Sequence, residues 1–212
     1  MSKRALIALS LLGALFPTFT YAGSVTGKIK LANVAGSAHA SVPGEKENVV
    51  IWLEGQEESQ VPDTPVKISQ KNLQFAPDFV VVMKGQKVDM PNDDDVAHNV
   101  YSFNGANQFN LGIYPKGENR SVSFEKTGIV DVFCSIHRQM HARVFVVPTR
   151  YFVTSLPGQA FSIQDVPPGR YVLKAWHERS RMVERSIVVP KAGAVTENLV
   201  LDRALSTTTA QR

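Results

Sequence analysis

The single cysteine of the chain stands in the run VFCSIHRQM, at residues 132–140, together with a histidine and a methionine. His137 follows Cys134 by three positions, and Met140 follows it by six. A thiolate, an imidazole and a thioether are an unusual set of donors. Thioether sulfur is a poor ligand for zinc, calcium or magnesium, but it is a good ligand for copper, especially Cu(I). The three residue types therefore point to copper chemistry.

Two apolar segments flank this run, and both are predicted to be strands. The first covers residues 129–134 and the second residues 143–147. Strand alternation places Cys134 on the same face as Val130 and Val132, so the thiol is expected to point into the core. Because the loop between the strands is short, it keeps all three donors near the end of the first strand.

A trigonal copper site with a weak axial methionine needs a second histidine. The polar turn Asp93-Asp94-Asp95 leads into a predicted strand, and His98 lies near the start of that strand. We therefore predict one copper ion per chain, held by His98, Cys134 and His137 with Met140 as the axial ligand. The aspartates lack the alternating ligand spacing of an EF-hand, which favours a solvated turn over a calcium loop.

The motif CSIHRQM, with HNV thirty-six residues before its cysteine, resembles the cupredoxins, the blue-copper family of plastocyanin, pseudoazurin and amicyanin. The spacing from His137 to Met140 is most similar to that of amicyanin, and the resemblance covers about residues 66–147. It implies a Greek-key β-sandwich and the same four ligands. It also implies that Asn99 and Ser135 brace the two ligand loops. Ile136 departs from the family, which usually has proline there.

The surface around the site has three candidates for contact with a partner protein. Arg138 and Gln139 lie beside His137, which the resemblance places on the exposed ligand loop. Residues 104–120 are rich in Asn and Gly and are predicted to be a loop, with aromatic and aliphatic residues that include Tyr114. These side chains either belong to a docking surface or cap the sandwich.

Two further histidines are expected to lie outside the copper site. His141 follows Met140 directly and enters the next strand, where adjacent side chains point to opposite faces. His177 follows Trp176 on a predicted strand, so a structural role is favoured over a second ligand or an electron relay.

The N-terminus predicts export. Residues 1–22 have a basic start, an apolar core from Ala5 to Phe16 and a small residue at the end, as in a secretory signal peptide, and the apolar core is too short to span a membrane.

Removal of Lys3 and Arg4 leaves 21 basic against 19 acidic residues, a balance that favours neither nucleic acid nor a charged membrane surface. A lone cysteine cannot form an internal disulfide, so copper would protect the thiol in an oxidising compartment. Together with the family resemblance, this predicts the periplasm and no membrane span in the mature chain.

The rest of the chain is predicted to be all-β, with short strands separated by Gly, Pro and polar turns. Beyond the cupredoxin segment, the pattern FSIQDVPPGRYVL at residues 161–173 resembles carboxypeptidase regulatory-like domains, which are small transthyretin-like β-sandwiches. This tail supplies too few strands for a sandwich. The strands predicted at 24–31 and 48–53 look like its missing part, so the hypothesis is a discontinuous sandwich with the cupredoxin inserted. The predicted divisions are a signal peptide (1–22), N-terminal strands (23–60), a cupredoxin domain (61–148), the regulatory-like sandwich (149–204) and a flexible tail (205–212).

The family resemblance implies a periplasmic one-electron carrier that works with a dehydrogenase or a cytochrome, and two-part chains of this kind are similar to proteins labelled for methylamine utilisation. Two other classes stay open. One is copper delivery without electron turnover, and the other is an assembly module in which copper is structural. An enzyme is not expected, since the four ligands leave no open metal position and no catalytic triad is present.

Overall fold

A computed structural model describes residues 23–33, 48–55, 60–103 and 107–203 of the chain. Within these residues the regular elements are eighteen strands, β1 to β18, which confirms the all-β prediction. The predicted signal peptide and the C-terminal tail from 205 lie outside the described residues.

Two N-terminal strands and six C-terminal strands form one β-sandwich. β1 lies between β14 on one side and β17 and β18 on the other, and the second sheet has the order β13–β2–β15–β16. These strands are β1 (Gly23–Asn33), β2 (Val49–Glu54), β13 (Phe152–Ser155), β14 (Ala160–Val166), β15 (Gly169–Trp176), β16 (Val183–Val189), β17 (Gly193–Thr196) and β18 (Leu199–Arg203). The N-terminal strands are thus interior strands of both sheets. The domain limits that the sequence suggests stay predictions.

The ten strands between them form a second two-sheet sandwich. One sheet has the order β10–β7–β3, the other β6–β12–β11–β8–β9, and β4 and β5 form a hairpin. The strands are β3 (Val66–Lys67), β4 (Ser69–Lys71), β5 (Gln74–Ala76), β6 (Phe79–Met83), β7 (Lys87–Pro91), β8 (His98–Ser102), β9 (Phe109–Tyr114), β10 (Asn119–Ser123), β11 (Gly128–Phe133) and β12 (His141–Val147). Alternate residues of these strands, among them Val100, Val130, Val132 and Val144, fill its core together with Cys134 and Met140.

The two sandwiches share a third apolar layer. On β2, Ile51 and Leu53 enter the core of the first sandwich, while Val50 and Trp52 on the opposite face pack against Phe145 and Val147 of β12. A strand that is buried on both faces has a continuous apolar sequence, as in VVIWLE. The sequence predicted the strand correctly, but it did not predict the contact that the outer face makes.

The prediction of a loop at residues 104–120 is wrong in part. β9 lies within this range, β10 begins at its end, and β9 pairs antiparallel with β8, the strand that begins at His98. The pairing of β9 supports one side of the site described next.

Candidate metal centre

Cys134 follows the last residue of β11 directly and is buried, with only 3% of its surface exposed. It lies in the same apolar cluster as Val130 and Val132, four and two residues before it. This is the inward orientation that strand alternation predicts.

The loop after Cys134 folds back onto its own start. The amide of Met140 donates to the carbonyl oxygen of His137 at 3.0 Å, and the amide of Cys134 donates to the carbonyl oxygen of Met140 at 3.4 Å. β12 begins at the next residue and pairs with β11, with His141 opposite Phe133. The loop is therefore closed at both ends by backbone contacts, which hold His137 and Met140 near the thiol.

His98 enters the same space from β8. It is fully buried, and its Nδ1 lies 3.0 Å from Nδ1 of His137 and 3.9 Å from Sγ of Cys134. The Sγ atom lies 3.8 Å from Nδ1 of His137. Ligand nitrogen and sulfur bond one metal ion at about 2.0–2.3 Å, so three donors this close can share an ion. The donor set of one thiol and two imidazoles fits copper.

Met140 completes the neighbourhood of these donors. It is 1% exposed and belongs to the same buried cluster as Cys134. An unbranched thioether within a core adapts to irregular space and adds a weak sulfur donor. Its burial and its backbone bonds to both ligand residues are consistent with the predicted axial role.

The other ring nitrogen of His98 faces a carboxylate. Nε2 of His98 lies 3.0 Å from Oδ2 of Asp94, whose side chain is 15% exposed. The hydrogen bond from the amide of Leu73 lowers the pKa of the Asp94 carboxyl, and the contact with His98 adds to this effect. The prediction of a solvated turn missed this contact. The signal in the sequence was the four-residue spacing between the two residues.

Asn99 and Ser135 lie close to the ligands, on the side of β9. Asn99 donates through Nδ2 to Oδ1 of Asn110 at 2.9 Å, so β8 and β9 are joined beside His98. Ser135 is exposed, and both residues line a surface pocket of about 350 Å³. The predicted bracing of the two ligand loops by Asn99 and Ser135 stays a prediction.

The three candidates for the partner surface have different positions. Arg138 and Gln139 are exposed on the ligand loop. Tyr114 is fully buried, so its prediction as a surface residue is wrong. Its hydroxyl donates to the carbonyl oxygen of Met90 and accepts from Gln70, and burial raises the pKa of the phenol to about 12.

His141 and His177 lie outside the group of three donors. His141 is exposed, contacts Oδ1 of Asp131 through Nε2 at 2.8 Å and stacks on Phe133. His177 is fully buried, and its Nδ1 accepts a hydrogen bond from the amide of Arg179 at 3.2 Å. A ring that accepts from the backbone two residues later stabilises a turn, which agrees with a structural role.

An aromatic cluster that the sequence analysis did not identify lies on the outer face of β8 and β11. Phe133, the neighbour of Cys134, stacks with Phe103 at 5.4 Å between ring centroids and lies 6.0 Å from Tyr101. Phe103 is 57% exposed. The signal was the alternation of Tyr101 and Phe103 after His98, but it becomes informative only when β8 is known to pair with β11.

The second sandwich matches a known family of proteins. Residues 62–147 match the sequence model of a family described as copper binding proteins, plastocyanin/azurin family. No curated protein matches the chain. The segment includes His98, Cys134, His137 and Met140.

Several solved structures are similar to part of the chain. A purple cupredoxin from Nitrosopumilus maritimus is 23% identical, with 39% of this chain and 99% of that chain covered and a TM-score of 0.36. A mutant of amicyanin in its Cu(I) form is 20% identical, with 45% and 99% covered and a TM-score of 0.38. A copper-containing nitrite reductase from Thermus scotoductus SA-01 is 20% identical over 56% of this chain and 28% of that chain, with a TM-score of 0.39. The family match and the gathered donors lead to one conclusion: residues 62–147 form a copper-binding domain that is similar to the plastocyanin/azurin family, within a longer all-β chain.

Proposed function

We propose that the chain binds one copper ion through His98, Cys134 and His137, with Met140 as axial ligand, and serves as a one-electron carrier between redox proteins. The observation that carries this proposal is the convergence of one thiol and two imidazole nitrogens, 3.0–3.9 Å apart, at the end of β11. The buried thioether of Met140 follows in the same closed loop.

The chemistry of the donors favours electron transfer over catalysis. When bound, copper supplies a one-electron couple, and a thiolate with two imidazoles and a weak thioether suits both Cu(I) and Cu(II). The protein groups are held by β8, β11 and β12, so they need to move little. Four donors leave no position for a substrate, and the proposed function is therefore not enzymatic.

The two histidines would have different tasks. His98 is fully buried, whereas His137 is half-buried on a loop whose neighbours Ile136, Arg138 and Gln139 are exposed. An electron would therefore leave or enter most directly at His137. The exposed residues of this loop would contact the partner, which we propose to be a dehydrogenase or a cytochrome.

We place the protein in the periplasm because residues 1–22 have the pattern of a secretory signal peptide. Among the described residues no helix is long and apolar enough to cross a membrane. We further propose that the first sandwich, formed by β1, β2 and β13 to β18 and called the outer sandwich from here on, is a carboxypeptidase regulatory-like domain. We also propose that the chain acts in a system such as methylamine utilisation, where a dehydrogenase would supply the electron.

The first test is the spectrum of the protein with one equivalent of Cu(II), for the wild type and for Cys134→Ser. We expect an intense thiolate-to-copper band in visible light and a narrow hyperfine splitting in electron spin resonance, and both should be absent from the variant. A pale copper spectrum that is the same in both proteins would refute the blue-copper site.

A second measurement separates electron transfer from copper delivery. A carrier should exchange electrons rapidly between its Cu(I) and Cu(II) forms and lose copper slowly to a Cu(I) chelator. Rapid transfer of Cu(I) to the chelator, together with slow electron exchange, would instead assign the protein to copper delivery.

A further inference from the structure

Asp94 approaches the copper site from behind His98. Its Oδ2 atom lies 3.0 Å from Nε2 of His98, on the side of the ring away from Cys134 and His137. His98 is fully buried, so water does not compete for this contact. Asp94 is not one of the four predicted ligands.

This contact selects one tautomer of the imidazole. A neutral imidazole carries one N–H, and its other nitrogen has the lone pair that binds a metal. Because a carboxylate accepts hydrogen bonds, the proton of His98 belongs on Nε2. The lone pair is then on Nδ1, the atom that faces Nδ1 of His137 and Sγ of Cys134.

The Asp94 carboxylate is itself held in place by the backbone. Its Oδ2 accepts the amide of Leu73 at 2.7 Å, and its Oδ1 accepts the amide of Asp95 at 3.2 Å. The amide of Asp94 donates to Oδ1 of Asn92 at 2.9 Å, and the side chain of Asn92 reaches the carbonyl oxygen of Tyr114 at 3.1 Å. The carboxylate is therefore tied both to its own turn and to β9.

Leu73 belongs to the tight turn between β4 and β5. Asn72 and Leu73 both have left-handed backbone conformations, with φ of 54° and 57°, as a two-residue hairpin turn requires. This turn aims the Leu73 amide at Asp94. The β4–β5 hairpin is thus linked to His98 through the carboxylate of Asp94.

We propose that Asp94 is a positioning residue of the copper centre, which fixes the tautomer and the ring orientation of His98 and places a negative charge behind this ligand. Carboxylates that accept the outer N–H of a metal-bound histidine commonly change metal affinity by about 10–100-fold. A negative charge at this place also stabilises Cu(II) relative to Cu(I), which lowers the reduction potential. The part of the proposal that concerns copper rests on the proposed function, whereas the part that concerns the tautomer does not.

The chain offers a matched control in the same turn. Asp95 is 88% exposed at its side chain and pairs with Lys116. Asp95→Asn removes the same charge as Asp94→Asn but leaves the contact to His98 intact. Asp94→Ala removes both the charge and the acceptor, whereas Asp94→Asn removes the charge and keeps an oxygen acceptor in its side-chain amide.

The first experiment uses metal-free protein and nitrogen-15 NMR of the histidine rings at pH 8. We expect a single Nε2–H tautomer for His98 in the wild type, in Asp95→Asn and in Asp94→Asn, and a mixture of tautomers in Asp94→Ala. Thermal unfolding of each variant shows whether it is folded. If folded Asp94→Ala keeps the single tautomer, Asp94 does not position the ring.

The second experiment measures copper affinity and reduction potential. Asp94→Ala is expected to bind copper about 10–100-fold more weakly than the wild type, and Asp94→Asn is expected to raise the potential more than Asp95→Asn does. Equal reduction potentials for Asp94→Asn and Asp95→Asn would show that the charge of Asp94 does not lower the potential of the copper. This comparison does not need Asp94→Ala, so it holds even if that variant does not fold. If the proposed function is wrong, the result is different: the wild type with copper lacks the blue spectrum, while the NMR difference between the wild type and Asp94→Ala is still observed.

Discussion

Trp52 and Phe145 lie with their ring centroids 5.4 Å apart, although one belongs to the outer sandwich and the other to the copper-binding domain. Phe145 also contacts Trp176 of β15 at 4.8 Å. Both Trp52 and Phe145 are only 5% exposed, so the layer between the sandwiches is a true apolar core. The two domains are therefore expected to depend on each other for stability.

Phe145→Ala tests this dependence. The substitution leaves a cavity between the sandwiches and is expected to lower the free energy of unfolding by about 3–5 kcal/mol, measured by denaturant unfolding. Phe103→Ala is the matched control, because Phe103 is 57% exposed and its loss should cost much less. A similar cost for both variants would contradict a shared core.

A second prediction concerns the N-terminal strands. Gln60 and Val61 are exposed, so a protease site inserted between them can be cut in the folded protein. The fragment that ends at Gln60 should stay bound after cleavage and separate only in denaturant, because β1 and β2 are interior strands of their sheets. Size-exclusion chromatography measures this. Release of the fragment without denaturant would contradict the discontinuous sandwich.

A third prediction is a dependence of stability on acidity through Asp131. Burial raises the pKa of this carboxyl, but the hydrogen bonds from His141 and Arg143 outweigh burial and leave the pKa below its usual value. Arg143 also reaches Glu178, next to the outer sandwich, at 2.7 Å. The stabilisation is thus present above pH about 3.9, the pKa in the unfolded chain, and is lost as the pH falls through the lower pKa of the folded state.

Asp131→Asn is therefore expected to lower the free energy of unfolding by about 1–2 kcal/mol at pH 6. The difference from the wild type should shrink in unfolding curves recorded below pH 4. Asp63→Asn, at an exposed position, serves as the control. A difference that stays constant between pH 6 and pH 3 would show that the charge of Asp131 is not the cause.

A fourth prediction concerns the axial ligand. Met140→Leu nearly conserves volume in a side chain that is 1% exposed, so metal-free stability should fall by less than about 1.5 kcal/mol. Loss of the axial thioether leaves less electron donation to offset the higher charge of Cu(II), so the reduction potential should rise while the thiolate band persists. Voltammetry and the visible spectrum measure both. An unchanged potential would exclude Met140 as a ligand.

The copper loop was predictable because its geometry is local. The spacing of Cys134, His137 and Met140 and the alternation of one strand suffice to place three side chains at one strand end. The position of His98 could be predicted because it lies near the start of a strand that follows a polar turn. In contrast, Tyr114 was misplaced because its segment was predicted to be a loop, whereas it ends β9 opposite His98, in a strand whose register shifts between its pairs with Asn99 and Tyr101. Gly112, with φ of 73°, lies in the shifted stretch, and beyond it Ile113 is exposed while Tyr114 is buried.

The role of Asp94 depends on a contact that sequence patterns do not describe. Its partner Leu73 lies on a different hairpin, and only the folded chain brings that amide to the carboxylate. The apolar run of β2 is a similar case. Its composition predicts burial on both faces, but the partner of its outer face, β12, follows from the way the two sandwiches pack.

The pairing of Val50 with Trp176 also determines the order in which the protein can assemble. A growing chain presents β2 early, but its partner β15 follows only after the whole copper-binding segment has been made. That segment contains all strands of its own sheets, so it can fold before β15 is available to pair with β2. We therefore expect the copper-binding domain to form first and then to provide, through Phe145, the apolar surface on which the outer sandwich closes.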